Sequence, residues 1–87
     1  MVNDFDFYVV KAISNKKTPM KNAGFKKEQI KSTIVGRKNY GYKSYPVVQY
    51  SAIIGHAGPN DREGAEKIAE SYIDFPEIKV AISYIAT

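Results

Sequence analysis

The stretch from Asn60 to Ala86, "NDREGAEKIAESYIDFPEIKVAISYIA", changes its hydrophobic period once, and that change decides the fold class. Over its first half Ala65, Ile68, Ala69, Tyr72 and Ile73 recur at the three- and four-residue spacing of one helix face. Asn60 with Glu63 reads as a capping box at the entrance, and Pro76 stops the helix, which the spacing places at about 60–74. Beyond the proline the period falls to two, and Ile78, Val80, Ile82 and Tyr84 share one face of a closing strand. A helix and a strand with one apolar face each require a layered α+β arrangement, helix on sheet.

Upstream, "SYPVVQYSAII" from Ser44 to Ile54 is rich in β-branched and aromatic residues and reads as a long strand, with Pro46 at its start or on an edge. The following "GHAG" reads as a glycine turn into the helix. At the other end, "DFDFYVVKAI" (4–13) alternates Phe5, Phe7, Val9 and Ile13 against Asp4, Asp6 and Tyr8, the pattern of a half-buried strand. Between them, "SNKKTPMKNAG" (14–24) is polar, with Pro19 and Gly24, and reads as a loop. "FKKEQIKSTIV" gives a short helical turn near 25–31, then a strand into Gly36. The expectation is one compact domain over 1–87: a three- to four-stranded, mainly antiparallel sheet with one well-defined helix on one face.

At 87 residues the chain buries only about 60% of its unfolded surface, which leaves little for a deep pocket. No cysteine and one histidine exclude a disulfide framework and a nitrogen or sulfur metal centre, so no cofactor is expected. No apolar run is long enough to span a bilayer, and "MVNDFDF" is acidic where a secretory signal is basic. The expected location is therefore cytoplasmic, the host's cytoplasm if the chain is phage-encoded. Lys, Ile, Asn and Tyr together fill 33 positions, and their A/T-rich codons suggest an A/T-rich genome of the kind found in many phages and Gram-positive bacteria.

The net charge of +4 conceals a polarised chain. Residues 11–43 carry +9, while residues 44–87 carry −3. Such asymmetry often marks a side that faces a polyanion. Within the basic part, "GRKNYGYKSYP" (36–46) interleaves Arg37, Lys38 and Lys43 with Tyr40, Tyr42 and Tyr45, and Lys26, Lys27 and Lys31 precede it. These nine side chains are the expected nucleic-acid-binding set, and the six cations among them are expected to form one contiguous patch, with lysines meeting phosphate and rings stacking on bases.

From Lys38 to Tyr45, "KNYGYKSY" resembles the RNP1 octapeptide of RNA-recognition-motif domains through Lys38, Tyr40, Gly41, Tyr42 and Tyr45, with Asn39 replacing a glycine and Lys43 an aliphatic residue. The resemblance implies that Tyr40 and Tyr42 stack on bases and that Lys38 contacts phosphate. "IIGHAG" (53–58) resembles the Ile-Gly-x-x-Gly clamp of KH domains at Gly55 and Gly58, but Asp61 and Glu63 beyond it would repel phosphate.

Constellations for catalysis are missing. His56 has no cysteine partner, and the serines lie in no nucleophile elbow. Asp61, Glu63, Glu66, Glu70 and Asp74 spread over the outer face of the expected helix, as a solvated surface does. The expected function is a small non-enzymatic binding protein whose basic, tyrosine-rich side engages nucleic acid or a nucleoprotein complex. The alternative is an inhibitor or adaptor of the type phages and mobile elements direct at a host protein or defence complex, anti-CRISPR-like in class. In that reading the tyrosines serve as interface anchors. A third class is a module that pairs through an exposed strand edge.

Overall fold

A computed structural model describes residues 7–85. Seven elements follow in order: β1 (Phe7–Ser14), α1 (Lys17–Asn22), a 3-10 turn (Lys27–Gln29), β2 (Lys31–Tyr40), β3 (Lys43–Ala57), α2 (Arg62–Glu70) and β4 (Lys79–Ile85). The strands form one antiparallel sheet in the order β2-β3-β1-β4, so the protein is α+β as its periodicity requires. α2 packs across β1, β3 and β4, and α1 lies against β1.

Both helices cover the same sheet face. Ala12, Met20, Phe25, Ala52 and Ile78 form one buried cluster, and Val10, Ala57 and Ala65 form another, with Ile54 touching both. The inward face of β1 is therefore Tyr8, Val10 and Ala12, the opposite of the expected Phe7, Val9 and Ile13. The alternation predicts Tyr8 on the polar side. It instead sits partly buried against the α2 cluster, with the Arg62 guanidinium 6.0 Å from its ring centre. The parity misleads because the open face of this central strand also carries apolar residues: Val9 is buried and Phe7 and Ile13 are half-buried there, although no helix covers that face. The acidic start of that expected strand, Asp4 to Asp6, lies outside the described residues.

β3 was expected to end at Ile54 but runs on through Gly55 and His56 to Ala57. A bulge makes this possible. Val10 pairs with Gly55 and Lys11 with Ile53, leaving Ile54 as the extra residue. Its insertion lets an even-numbered residue, Ile54, and an odd-numbered one, Ala57, both reach the helices. Gly55 is thus a point of close approach rather than a turn: a Cβ there would lie 2.9 Å from Ile68 Cδ1.

The expected loop over 14–24 contains α1. Pro19 is its third residue, where the missing N–H has no intrahelical acceptor in any case. Met20, completely buried, anchors it. Gly24, at φ +93°, ends it, with the Phe25 N–H donating to the Met20 carbonyl and the Gly24 N–H to the Lys21 carbonyl. The helical turn expected near 25–31 is the 3-10 turn, closed by the Lys26 N–H donating to Gln29 Oε1 at 2.8 Å.

α2 is shorter than its apolar pattern, and its cap is shifted by one residue. Asp61, not Asn60, is the N-cap, accepting the Gly64 N–H at 3.0 Å. Asn60 takes φ +60°, a left-handed conformation that asparagine tolerates, and turns the chain into the cap. Residues 71–74 form turns, so Ile73 leaves the apolar stripe and is 79% exposed.

Candidate nucleic-acid interface

The geometry of the site begins where β1 ends. The last β1–β3 pair is Ser14 with Tyr50, so residues 43–49 of β3 pair with β2 alone and project as a two-stranded arm. The projection shows in the dimensions, 55 × 28 × 21 Å. The radius of gyration is 15.4 Å, against about 12 Å for a compact chain of this length. Every residue from Lys31 to Pro46 is exposed. Pro46 sits in this arm, where β3 has a neighbour on one side only, which is where a strand tolerates a residue without an N–H.

The "RNP1-like" octapeptide does not lie in one strand. Lys38 to Tyr40 end β2, Gly41 and Tyr42 form the turn, and Lys43 to Tyr45 begin β3. Gly41, at φ +66°, supplies the positive φ that a two-residue hairpin needs at its first turn position. The third and fifth positions of such a motif share a face only within a continuous strand, so Tyr40 and Tyr42 do not form the implied platform. Tyr40 instead pairs with Tyr45. In register Lys38 opposes Tyr45 and Tyr40 opposes Lys43, and the two rings meet edge-on with centroids 5.6 Å apart. Tyr42 stands fully exposed at the tip.

Register also fixes which side each strand cation occupies. Directly opposed residues share a face, and the row Lys31–Ser51–Ile13–Lys79 crosses all four strands on the side away from the helices. The adjacent row is Ile53–Lys11–Ala81. Continuing out along β3, with the extra β2 residue at Val35 taken into account, Lys38, Tyr40, Lys43 and Tyr45 fall on this same helix-free side. Arg37, opposite Pro46, falls on the other.

The strands contain Lys11, Lys31, Arg37, Lys38, Lys43 and Lys79 and, among the described residues, no carboxylate. All but Arg37 face away from the helices. The described carboxylates lie in the 3-10 turn (Glu28), on or beside α2 (Asp61, Glu63, Glu66, Glu70) and in the turns after it (Asp74, Glu77). The ion pairs follow the same division: Lys16 with Glu77, Arg62 with Glu66 and Lys67 with Glu63, at 3.3, 3.2 and 3.7 Å. None of these engages a strand lysine.

The nine expected site residues therefore separate into groups. Lys38, Tyr40, Lys43 and Tyr45 come together on one arm face, with Tyr42 at its tip. Lys31 lies seven residues back, about 23 Å along the strand. There it shares a depression of about 250 Å³ with Lys11, Ser51 and Ile53, closed at one side by Glu28 and Gln29. Lys26 and Lys27 stand at the 3-10 turn, and Arg37 points to the opposite side of the arm, so the expected single patch is instead a long basic strip.

Sequence reasoning missed Lys11, Lys79, Ile53 and the Phe7–His56 pair on the open face, whose rings are 6.2 Å apart in an edge-on arrangement. His56 is a strand residue, not a loop residue. The available signal was the restriction of carboxylates to the segments between strands. Gly55, within β3 and under Ile68, is not available as a phosphate clamp. Comparison with known protein families, curated proteins and solved structures finds no match for the chain.

Proposed function

We propose that the protein is a non-enzymatic binding protein that holds single-stranded nucleic acid, free or within a nucleoprotein complex, along its helix-free sheet face and projecting arm. The observation that supports this reading is the separation of charge: five strand lysines on one side, with no strand carboxylate among the described residues. Lysines placed this way lower the potential energy of a polyanion, and among the described residues they have no ion-pair partner to displace. Tyr40, Tyr42 and Tyr45, exposed on and at the end of the arm, offer flat surfaces to unstacked bases.

Titration of labelled single- and double-stranded DNA and RNA at several salt concentrations tests it. Single strands are expected to bind more tightly than duplexes. If all five lysines meet phosphate, log K should fall against log salt with a slope of about −3.5. Absence of binding at low salt would reject the proposal. It would then favour a protein-directed inhibitor or adaptor, for which the cluster of Asp61, Glu63, Glu66, Glu70 and Asp74 would be the surface to test.

A further inference from the structure

The two outer strands of the sheet are unequally protected. β2 carries Lys31, Arg37 and Lys38 along ten residues and is interrupted by a bulge at Val35, devices that discourage another strand from pairing. β4 carries only Lys79, contains neither proline nor glycine, and keeps unbroken register with β1 over all seven residues. On the helix side of β4 an apolar groove is lined by Ala69, Tyr72, Ile73, Phe75, Ile78 and Val80. Glu70 is the carboxylate at its margin. Ile73 is 79% exposed, and Tyr84, whose ring also meets that of Tyr8 at 5.0 Å, is 53% exposed.

We propose that β4 pairs antiparallel with β4 of a second copy of this chain, joining two sheets about a two-fold axis at Ile82. Directly opposed residues share a face, so keeping the helices of both copies on one side requires even residues to oppose even and odd to oppose odd. Among those registers, centring on Ile82 uses the whole strand. Lys79 then opposes Ile85, Val80 opposes Tyr84, and Ala81 opposes Ser83. No like charges meet, and the two Lys79 positions are about 20 Å apart, beyond the screening length of about 8 Å at physiological salt.

The competing arrangements fit less well. β2 paired with β2 brings two three-cation strands together across a bulge. β2 paired with β4 is heterologous and leaves an edge free on each end, so it grows without closing. A symmetric β4 pair closes on itself, places Ile73 and Tyr84 at the seam, and sets a tyrosine against a valine twice. The two helix-free faces become one continuous surface. The pairing does not depend on what that surface binds.

Sedimentation equilibrium of the full chain, from low micromolar to submillimolar concentration, tests the proposal. The mass should rise from monomer to dimer and stop there. Ala81→Lys combined with Ser83→Lys opposes lysine to lysine at two places and should weaken the dimer on the order of tenfold or more. Ala81→Glu combined with Ser83→Lys sets unlike charges in the same positions and should restore it. Ile73→Asp, at an exposed position outside the strand, provides a second disruptive variant should the double lysine variant fail to melt cooperatively. A wild-type mass that stays monomeric, growth past the dimer, or a dimer unaffected by both disruptive variants overturns the proposal.

Discussion

Between Tyr50 and Ala57, β3 has β1 on one side, and from Ser51 back it also has β2 on the other; helices lie over one face. Between Lys43 and Gln49 the same strand pairs with β2 alone, and from Lys43 to Pro46 every residue is exposed. The inner half places small residues inward, Ala52 beneath Met20 of α1 and Gly55 and Ala57 beneath α2, because both helices lie close over it. The outer half has Tyr45, Pro46, Val47 and Val48, and packing does not dictate their identities. A two-stranded ribbon is marginal in water, so the arm is held chiefly by its continuity with the sheet. Stability therefore belongs to the body, and the arm's side chains are not committed to the core.

The most severe way to break that comparison is within the body. Met20 is completely buried and joins α1 to Ala12, Phe25, Ala52 and Ile78. Met20→Ala should cost about 2–5 kcal/mol in urea denaturation, since the cavity lies where both sheet and helix are already committed. A change below about 0.5 kcal/mol would show that α1 is peripheral.

The next effect belongs to the arm and should appear in binding rather than in stability. Tyr40→Ala and Tyr45→Ala should each weaken single-strand binding by about 1–3 kcal/mol. Thermal or chemical melting should shift by no more than about 1 kcal/mol, the upper limit for a cross-strand aromatic pair. If stability falls as far as binding, the rings are supports for the hairpin and not contacts for bases.

Part of this division was legible in the sequence, and the reasons differ by element. α2 and β4 were readable because each buries one face, so Ala65, Ile68, Val80 and Ile82 repeat with its period. α1 was not, because six residues give less than two full turns of pattern and a single methionine provides its anchor. The β3 bulge was not, because an extra residue is defined only against β1. At the site, the lysine and tyrosine content of 37–45 was evident, but its grouping on one side required the hairpin. Lys11 and Lys79, 26 residues before and 34 residues after that segment, join it only through the order β2-β3-β1-β4.

A smaller effect sharpens the boundary at the entrance to α2. Asp61→Ala removes the acceptor for the Gly64 N–H and should cost about 1 kcal/mol. Asn60→Gly, at a residue already in the left-handed region, should change stability by only a few tenths of a kcal/mol. Equilibrium denaturation of both variants distinguishes the observed cap from the capping box suggested by Asn60 and Glu63; equal losses would mean that both residues hold the helix start.

The finest test compares Arg37 with Lys38, adjacent in sequence and equal in charge but on opposite faces of the arm. A uniformly attractive basic arm would treat them alike, because exposed charges this close together contribute similarly to a distant polyanion. A strand seated on the helix-free face treats them differently, since only a cation in contact with phosphate releases a condensed counterion. Lys38→Ala should then reduce the steepness of log K against log salt by about 0.7, whereas Arg37→Ala should leave it nearly unchanged. The measurement is the slope rather than the affinity at one salt concentration, where both substitutions lower binding through the loss of net charge. Equal slope changes would mean that the ligand wraps both faces of the arm, and the distinction between its two sides would lose its functional meaning while the distinction between arm and body remained.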